Sequence, residues 1–271
     1  MWGGTLTWSL KDSDAVMDAF VNYSRADTDN SDSSVILGMA NHSGEWVWHA
    51  DVQYLDHSTR PKAGHLLRKF LDIPLLDSST GPLSQLSRTQ QIADLYPAGL
   101  YNGYWTWCTR ANKEILRFFA DTWREEVAAI SDVPGILESG AFASVQCISS
   151  NVLRAMSRDG GNALHLDSNE SPLFLFVMEP YWYDGSQNDR VRKAEENLLI
   201  RTQEEARRRG LFHSFVYQNY ADPRQDVFAG YGKGAVEFLR GVSSRYDPHG
   251  VFQYQRASGF HLHGATQVNE K

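Results

Sequence analysis

The residues best suited to chemistry stand near the C-terminal end, in the run Tyr217-Gln218-Asn219-Tyr220-Ala221-Asp222-Pro223. If residues 212–220 form a strand, period-two alternation puts Tyr217 and Asn219 on one face and Tyr220 on the other. A phenol beside a primary amide can hydrogen-bond the edge of a heteroaromatic ring, and a phenol can serve as a proton acceptor. The same residues also suit a strand that ends in an Asp-Pro turn and packs its tyrosines in a core. Other spacings mainly exclude. His165-Leu166-Asp167 and His261-Leu262-His263 would put like side chains on one strand face. No third ligand stands at a metal-type spacing, and no HExxH or Cys/His cluster occurs, so no metal site is expected. There is no GxSxG nucleophile elbow. Gly230-Tyr231-Gly232-Lys233-Gly234 lacks the Ser or Thr that a P-loop needs, and Arg158-Asp159-Gly160-Gly161-Asn162 reads as a turn.

The chain that must position these groups has 271 residues, 42% hydrophobic and 22% charged. That is one large domain or two small ones, and too apolar for disorder over most of its length. Its 8 Trp, 12 Tyr and 13 Phe are enough to build a dense core or a pocket for a flat ligand. A net charge of −7 without a basic block offers no footprint for nucleic acid. No apolar run reaches the roughly 18 residues of a membrane span. Met1 to Trp8 contain neither a basic nor a long apolar region, so no signal peptide is expected and localisation stays open. Cys108 and Cys147 read as two reduced core thiols.

Trp2–Trp8 alternates like a strand, and Gly3-Gly4 suggests a close backbone approach. Val16, Phe20 and Tyr23 form a helical stripe after the capping residues of 11–14. Residues 34–39 and 45–54 pair as a hairpin through Asn-His-Ser-Gly, and a short helix is expected after Pro61. Residues 72–99, with Pro74, Pro82 and Pro97, read as an irregular excursion. Strands are expected at 101–107, 142–148, 173–183 and 212–220, and long helices at 112–130 and 187–209. Shorter helices follow near 151–157 and 235–245. Glu204 is placed to pair with Arg208, and Gly210 to cap the second long helix. Hairpin-like links among these elements predict an α+β domain over 1–271, a largely antiparallel sheet with long helices on one face. The other face is then open, and an open aromatic face needs a ligand, a cofactor or a second domain.

Several segments, in order, resemble one family. Phe215-Val216-Tyr217-Gln218-Asn219-Tyr220-Ala221-Asp222-Pro223, Gln225-Asp226 and Gly230-Tyr231-Gly232 are similar to the end of fungal FAD-linked oxidoreductases of the berberine-bridge-enzyme-like branch of the vanillyl-alcohol oxidase superfamily. Arg245-Tyr246-Asp247-Pro248-His249-Gly250-Val251-Phe252-Gln253 looks like that family's closing motif, so the C-terminal motif covers about 212–260. Gly160 to Asp167 resembles a middle motif in which His165 stands where the family often has Gly. Trp2-Gly3-Gly4 resembles the strand leaving the flavin-binding domain.

The resemblance implies a single substrate-binding domain that begins after the FAD-binding one, with its open sheet face toward the flavin. It implies oxidation of a small organic substrate, with fungal secondary metabolism as the setting. Tyr217 is the implied base, Asn219 and Tyr220 the flavin contacts, and Gln146 and Tyr104 the candidates on neighbouring strands for the substrate. FAD is the implied cofactor, with none held tightly by this chain alone. Expected partners are a small-molecule substrate and either a separate flavin-binding chain or a second copy, with no nucleic acid and no membrane. A truncated oxidoreductase fits every motif; a cofactor-free isomerase or cyclase and a non-catalytic partner are the alternatives.

Overall fold

A computed structural model describes residues 1–271 except 27–31, 43, 56–58, 96–97, 257 and 263–271. The first strand, β1 (Trp2–Ser9), leads through a short turn into helix α1 (Ser13–Arg25). Gly3 and Gly4 are needed where they stand. A Cβ on Gly3 would lie 2.5 Å from the Val52 carbonyl oxygen, and one on Gly4 would lie 2.7 Å from that of Ser79. Strands β2 (Ser33–His42) and β3 (Glu45–Tyr54) form the expected hairpin, in which the Gly44 N–H donates to Asn41 Oδ1. Helix α2 (Arg68–Leu71), strands β4 (Asp77–Ser78) and β5 (Gly81–Pro82), and helix α3 (Gln85–Leu95) follow. Next come β6 (Tyr101–Asn102), β7 (Trp105–Arg110), α4 (Lys113–Ala128), β8 (Ala143–Ile148) and α5 (Ser150–Met156). The chain continues with β9 (Leu173–Met178), β10 (Tyr181–Trp182), α6 (Asn188–Arg208), β11 (Phe212–His213) and α7 (Lys233–Tyr246).

The main sheet runs β11-β7-β9-β8-β2-β3-β1-β4, with β5 also on β1, and its pairings are antiparallel. Alternation then sorts the side chains. One face carries Trp8, Leu37, Trp48, Trp107, Val145 and Phe176, all packed with residues of α1, α4 and α6. Phe176 stacks on Trp107 at 5.2 Å and meets Phe119 of α4 at 4.7 Å. The α+β architecture, the antiparallel sheet and the long helices on one face are therefore as the sequence predicts.

On the second face, Cys108, Leu175 and Val177 are buried by the chain's own later segments through Leu153, Leu166, Phe215, Val227 and Ala235. At the far edge Arg88 of α3 is buried against Asp51 and reaches Thr5 Oγ1 at 3.4 Å. Between these covers lies a narrow open strip of β2 and β8, with Ile36 and Gln146 half-buried on it.

Six sequence expectations need correction. The strand expected at 212–220 ends at His213, and Gln218–Tyr220 is a 3₁₀ turn. The strand at 101–107 breaks at Gly103-Tyr104, and the one at 173–183 breaks at Glu179-Pro180, where proline cannot donate to a ladder. The excursion at 72–99 contains α3, whose Leu86 is exposed and whose apolar stripe is therefore weak. Its signal was Ser84, whose Oγ accepts from the Ser87 N–H at 3.0 Å. Glu205 rather than Glu204 binds Arg208 and Arg209, while Gly210 takes the left-handed cap at φ 69°. His165 sits in a turn at φ 56°, so its strand pairing with Asp167 fails, and His263 lies outside the described residues. Cys108 and Cys147 are free thiols.

Replacing Phe176 by Ala removes the ring between Trp107 and Phe119. The expected cost is about 3–5 kcal/mol, seen as a lower urea midpoint with an unchanged slope.

Candidate functional site

The open strip is bordered by segments that depart from regular structure. Gly103-Tyr104 links β6 to β7, Glu179 follows β9, and residues 217–220 turn above β8. One side chain holds that turn in place. Gln225, buried, accepts the Thr106 N–H at 3.1 Å and donates to the Thr106 carbonyl at 2.7 Å. Its Oε1 also accepts the Asp222 N–H at 3.1 Å. The amide thus replaces a strand on β7 beyond the short β11, and the backbone from Ser214 onward is released to turn over the sheet. Buried Phe215 anchors the near end by stacking on Tyr231 at 5.6 Å.

The turn brings all five sequence-derived site residues into one connected cluster. Gln146 Nε2 of β8 donates to Tyr220 Oη at 2.9 Å. The Tyr220 ring stacks near Tyr104 at 6.4 Å and meets Tyr217 edge-on at 5.0 Å. Asn219 Nδ2 donates to Tyr217 Oη at 2.9 Å. Tyr220 therefore lies with Tyr217 and Asn219, because a 3₁₀ turn replaces the strand whose alternation had separated them. Each of the two phenols receives an amide N–H, so each hydroxyl hydrogen can point to a ligand.

Two further members were not identified from the sequence. Ser144, one pleat from Gln146 on β8, donates to Glu179 Oε1 at 3.0 Å. A carboxylate directly after a wholly buried six-residue strand and before Pro180 is the signal that could have found Glu179. Burial first, then the Glu179 carboxylate and Tyr220, raise the Tyr104 phenol above its usual range, so Tyr104 is a donor at neutral pH.

A cleft of about 570 Å³ opens beside Gln146, between the start of β2, the end of β8, and α5. Ser149, Asn151, Arg154 and Arg158 line it, and among the described residues no carboxylate does. Cys147 also faces it, its thiol pushed up to about 12 chiefly by burial and hence neutral. Among the described residues no group of His, Cys, Asp and Glu could hold a metal ion. For a flavin the donor set is suitable at the ring: flat Tyr104 and Tyr220 faces, two phenol hydroxyls and the Asn219 amide suit a heteroaromatic edge rich in carbonyl and ring-nitrogen groups.

An antiparallel sheet with long helices on one face is shared with solved oxidoreductases. Aclacinomycin oxidoreductase aligns with a TM-score of 0.64 over 93% of this chain and 54% of that one, at 16% identity. Among curated proteins, the FAD-dependent monooxygenase FUP4 of Fusarium proliferatum is 30% identical over 93% of this chain and 50% of its own length. The FAD-dependent monooxygenase tpcD of Cochliobolus heterostrophus is 29% identical with the same coverage. No protein-family model matches the chain. The chain is thus similar in sequence to fungal FAD-dependent monooxygenases and in fold to solved flavin-linked oxidoreductases. It spans about half the length of the curated relatives it matches.

Gln225→Leu strips the partners from two buried backbone groups of Thr106. A loss of about 2–4 kcal/mol is expected, with faster proteolysis within 214–225 than within α4.

Proposed function

We propose that this chain supplies the substrate side of an FAD-linked oxidation of a small organic molecule in fungal secondary metabolism. The carrying observation is the Gln146–Tyr220–Tyr217–Asn219 cluster, set on the uncovered strip of an otherwise two-sided sheet. Residues 1–271 act as one substrate-binding domain. FAD, when bound, supplies the two-electron acceptor. Asn219 and Tyr220 hold the ring edge, and Gln146 with Tyr104 orients the substrate. Tyr217 is the base for a substrate hydroxyl or amine, with the Asn219 N–H donated to its oxygen. The cleft beside Gln146 takes the remainder of the substrate, and Arg154 and Arg158 favour a substituent that is anionic or rich in acceptors.

In this reading the chain alone contacts one side of the flavin and binds it weakly. The complementary partner is a flavin-binding unit. The surface that favours association is α7 with the following turn, where Phe238, Tyr246, Phe252 and Tyr254 are exposed. A second copy is the alternative occupant.

The purified chain is expected to carry well under one flavin per molecule by its visible absorption; near one per molecule would overturn that part of the proposal. With the flavin-binding half of a relative such as FUP4 fused to it, Tyr217→Phe is expected to slow flavin reduction by about 10²–10⁴-fold. A loss of less than about threefold would remove Tyr217 as the base.

A further inference from the structure

Glu195 of α6 is fully buried, and among the described residues neither carboxyl oxygen has a hydrogen-bond partner. Buried carboxyl groups are normally paired, because an unpartnered one costs several kcal/mol when charged. This one lies against the backbone of Gly103: a Cβ on Gly103 would stand 2.3 Å from Glu195 Oε1. The carboxyl therefore fills the space that any other residue at 103 would need. Gly103 is the neighbour of Tyr104, and its N–H donates to the Pro180 carbonyl, next to Glu179.

The charged groups facing Glu195 are Asp222 and Arg224 of the 222–225 segment and Arg192 of its own helix. Arg224 is engaged already, with Nε on Asp222 at 2.8 Å and its guanidinium 4.7 Å above the Trp105 ring. Glu195 thus sits beneath both segments that build the tyrosine cluster, the 103–104 link and the 217–225 turn.

We propose that Glu195, as a neutral carboxylic acid, is a positioning residue that locks Tyr104 and the 217–225 turn in place, and that losing its proton to solvent releases them. The proposal rests on reading the tyrosine cluster as the site. Burial foremost, then the nearby Asp222, raises the group to about 8, against the cationic Arg224 and Arg192. The folded chain therefore keeps a proton that the unfolded chain loses near its ordinary value of 4.5. Folded stability falls as pH rises between these limits and levels off above about 8. Above that pH the new charge repels Asp222 and draws Arg224 away from it.

The test compares the 271-residue chain with Glu195→Gln, which keeps shape without the titration. Unfolding temperature is followed from pH 5 to 9, and amide hydrogen exchange is corrected for its intrinsic pH dependence. The wild type is expected to lose about 5–15 °C relative to Glu195→Gln as pH rises from 5 to 8. By pH 9, exchange at 103–106 and 217–225 should be about tenfold faster in the wild type than in Glu195→Gln, a larger ratio than for α4. Parallel stability profiles, or equal protection of these segments in both proteins, would overturn the proposal. If Glu195→Gln fails to fold, Glu195→Met serves the same comparison. Gly103→Ala should be strongly destabilising in the wild type and much less so with Glu195→Ala; additive losses would also count against the contact. A normal flavin-reduction rate in Tyr217→Phe would remove Tyr217 as the base while leaving the Glu195 titration standing, so the two failures are separable.

Discussion

Much of the site depends on one side-chain amide pairing with one residue of a strand edge. By satisfying both backbone groups of Thr106, Gln225 ends the sheet without leaving that donor and acceptor unpaired. A backbone strand in that position would have carried 212–220 straight along β7, with Tyr217 and Tyr220 pointing to opposite faces. The side-chain substitute costs no ladder bonds and frees the backbone to turn. Gln146 then meets Tyr220 across a strip that backbone pairing would have left unreached.

The long amphipathic elements were legible because their apolar spacing is redundant. Val16, Phe20 and Tyr23 place α1, while Ile115, Phe119, Trp123 and Val127 place α4, and losing any single residue would not erase the pattern. The site residues were legible as residue types, through the Tyr-Gln-Asn-Tyr run, but their geometry was not. Alternation is a property of strands, and nothing local marks 214–220 as a segment whose place on β7 is taken by a glutamine several residues later. Gln146 and Tyr104 could be placed only once the register Ile36–Gln146 and the break at Gly103 were known. Glu195 was hidden for a different reason: a glutamate in a helix rich in Glu and Arg is ordinarily solvated, and only tertiary packing shows this one to be buried.

The electrostatics divide by region. Ion pairs decorate the outer faces of α4 and α6, such as Arg201 with Glu125 and Glu126, where solvent limits each to a small contribution. The cleft by Gln146 instead collects Arg154 and Arg158 in a chain of net charge −7. Between the two regions the tyrosine cluster is built from neutral donors and acceptors, with Glu179 at its border. That arrangement suits recognition of a flat polar ring by direction of hydrogen bonds rather than by charge.

Strand β9 is buried on both sides along its whole length, from Leu173 to Met178. A strand with one wet face can change half its residues at little expense; this one has no such half. Mutational drift in the sheet must therefore run through its flanks, and a lineage adapting to a new substrate would find its freedom in β8, in α5 and in the turn at 217–220. Chemical diversification and structural permanence are thereby assigned to adjacent strands of the same sheet.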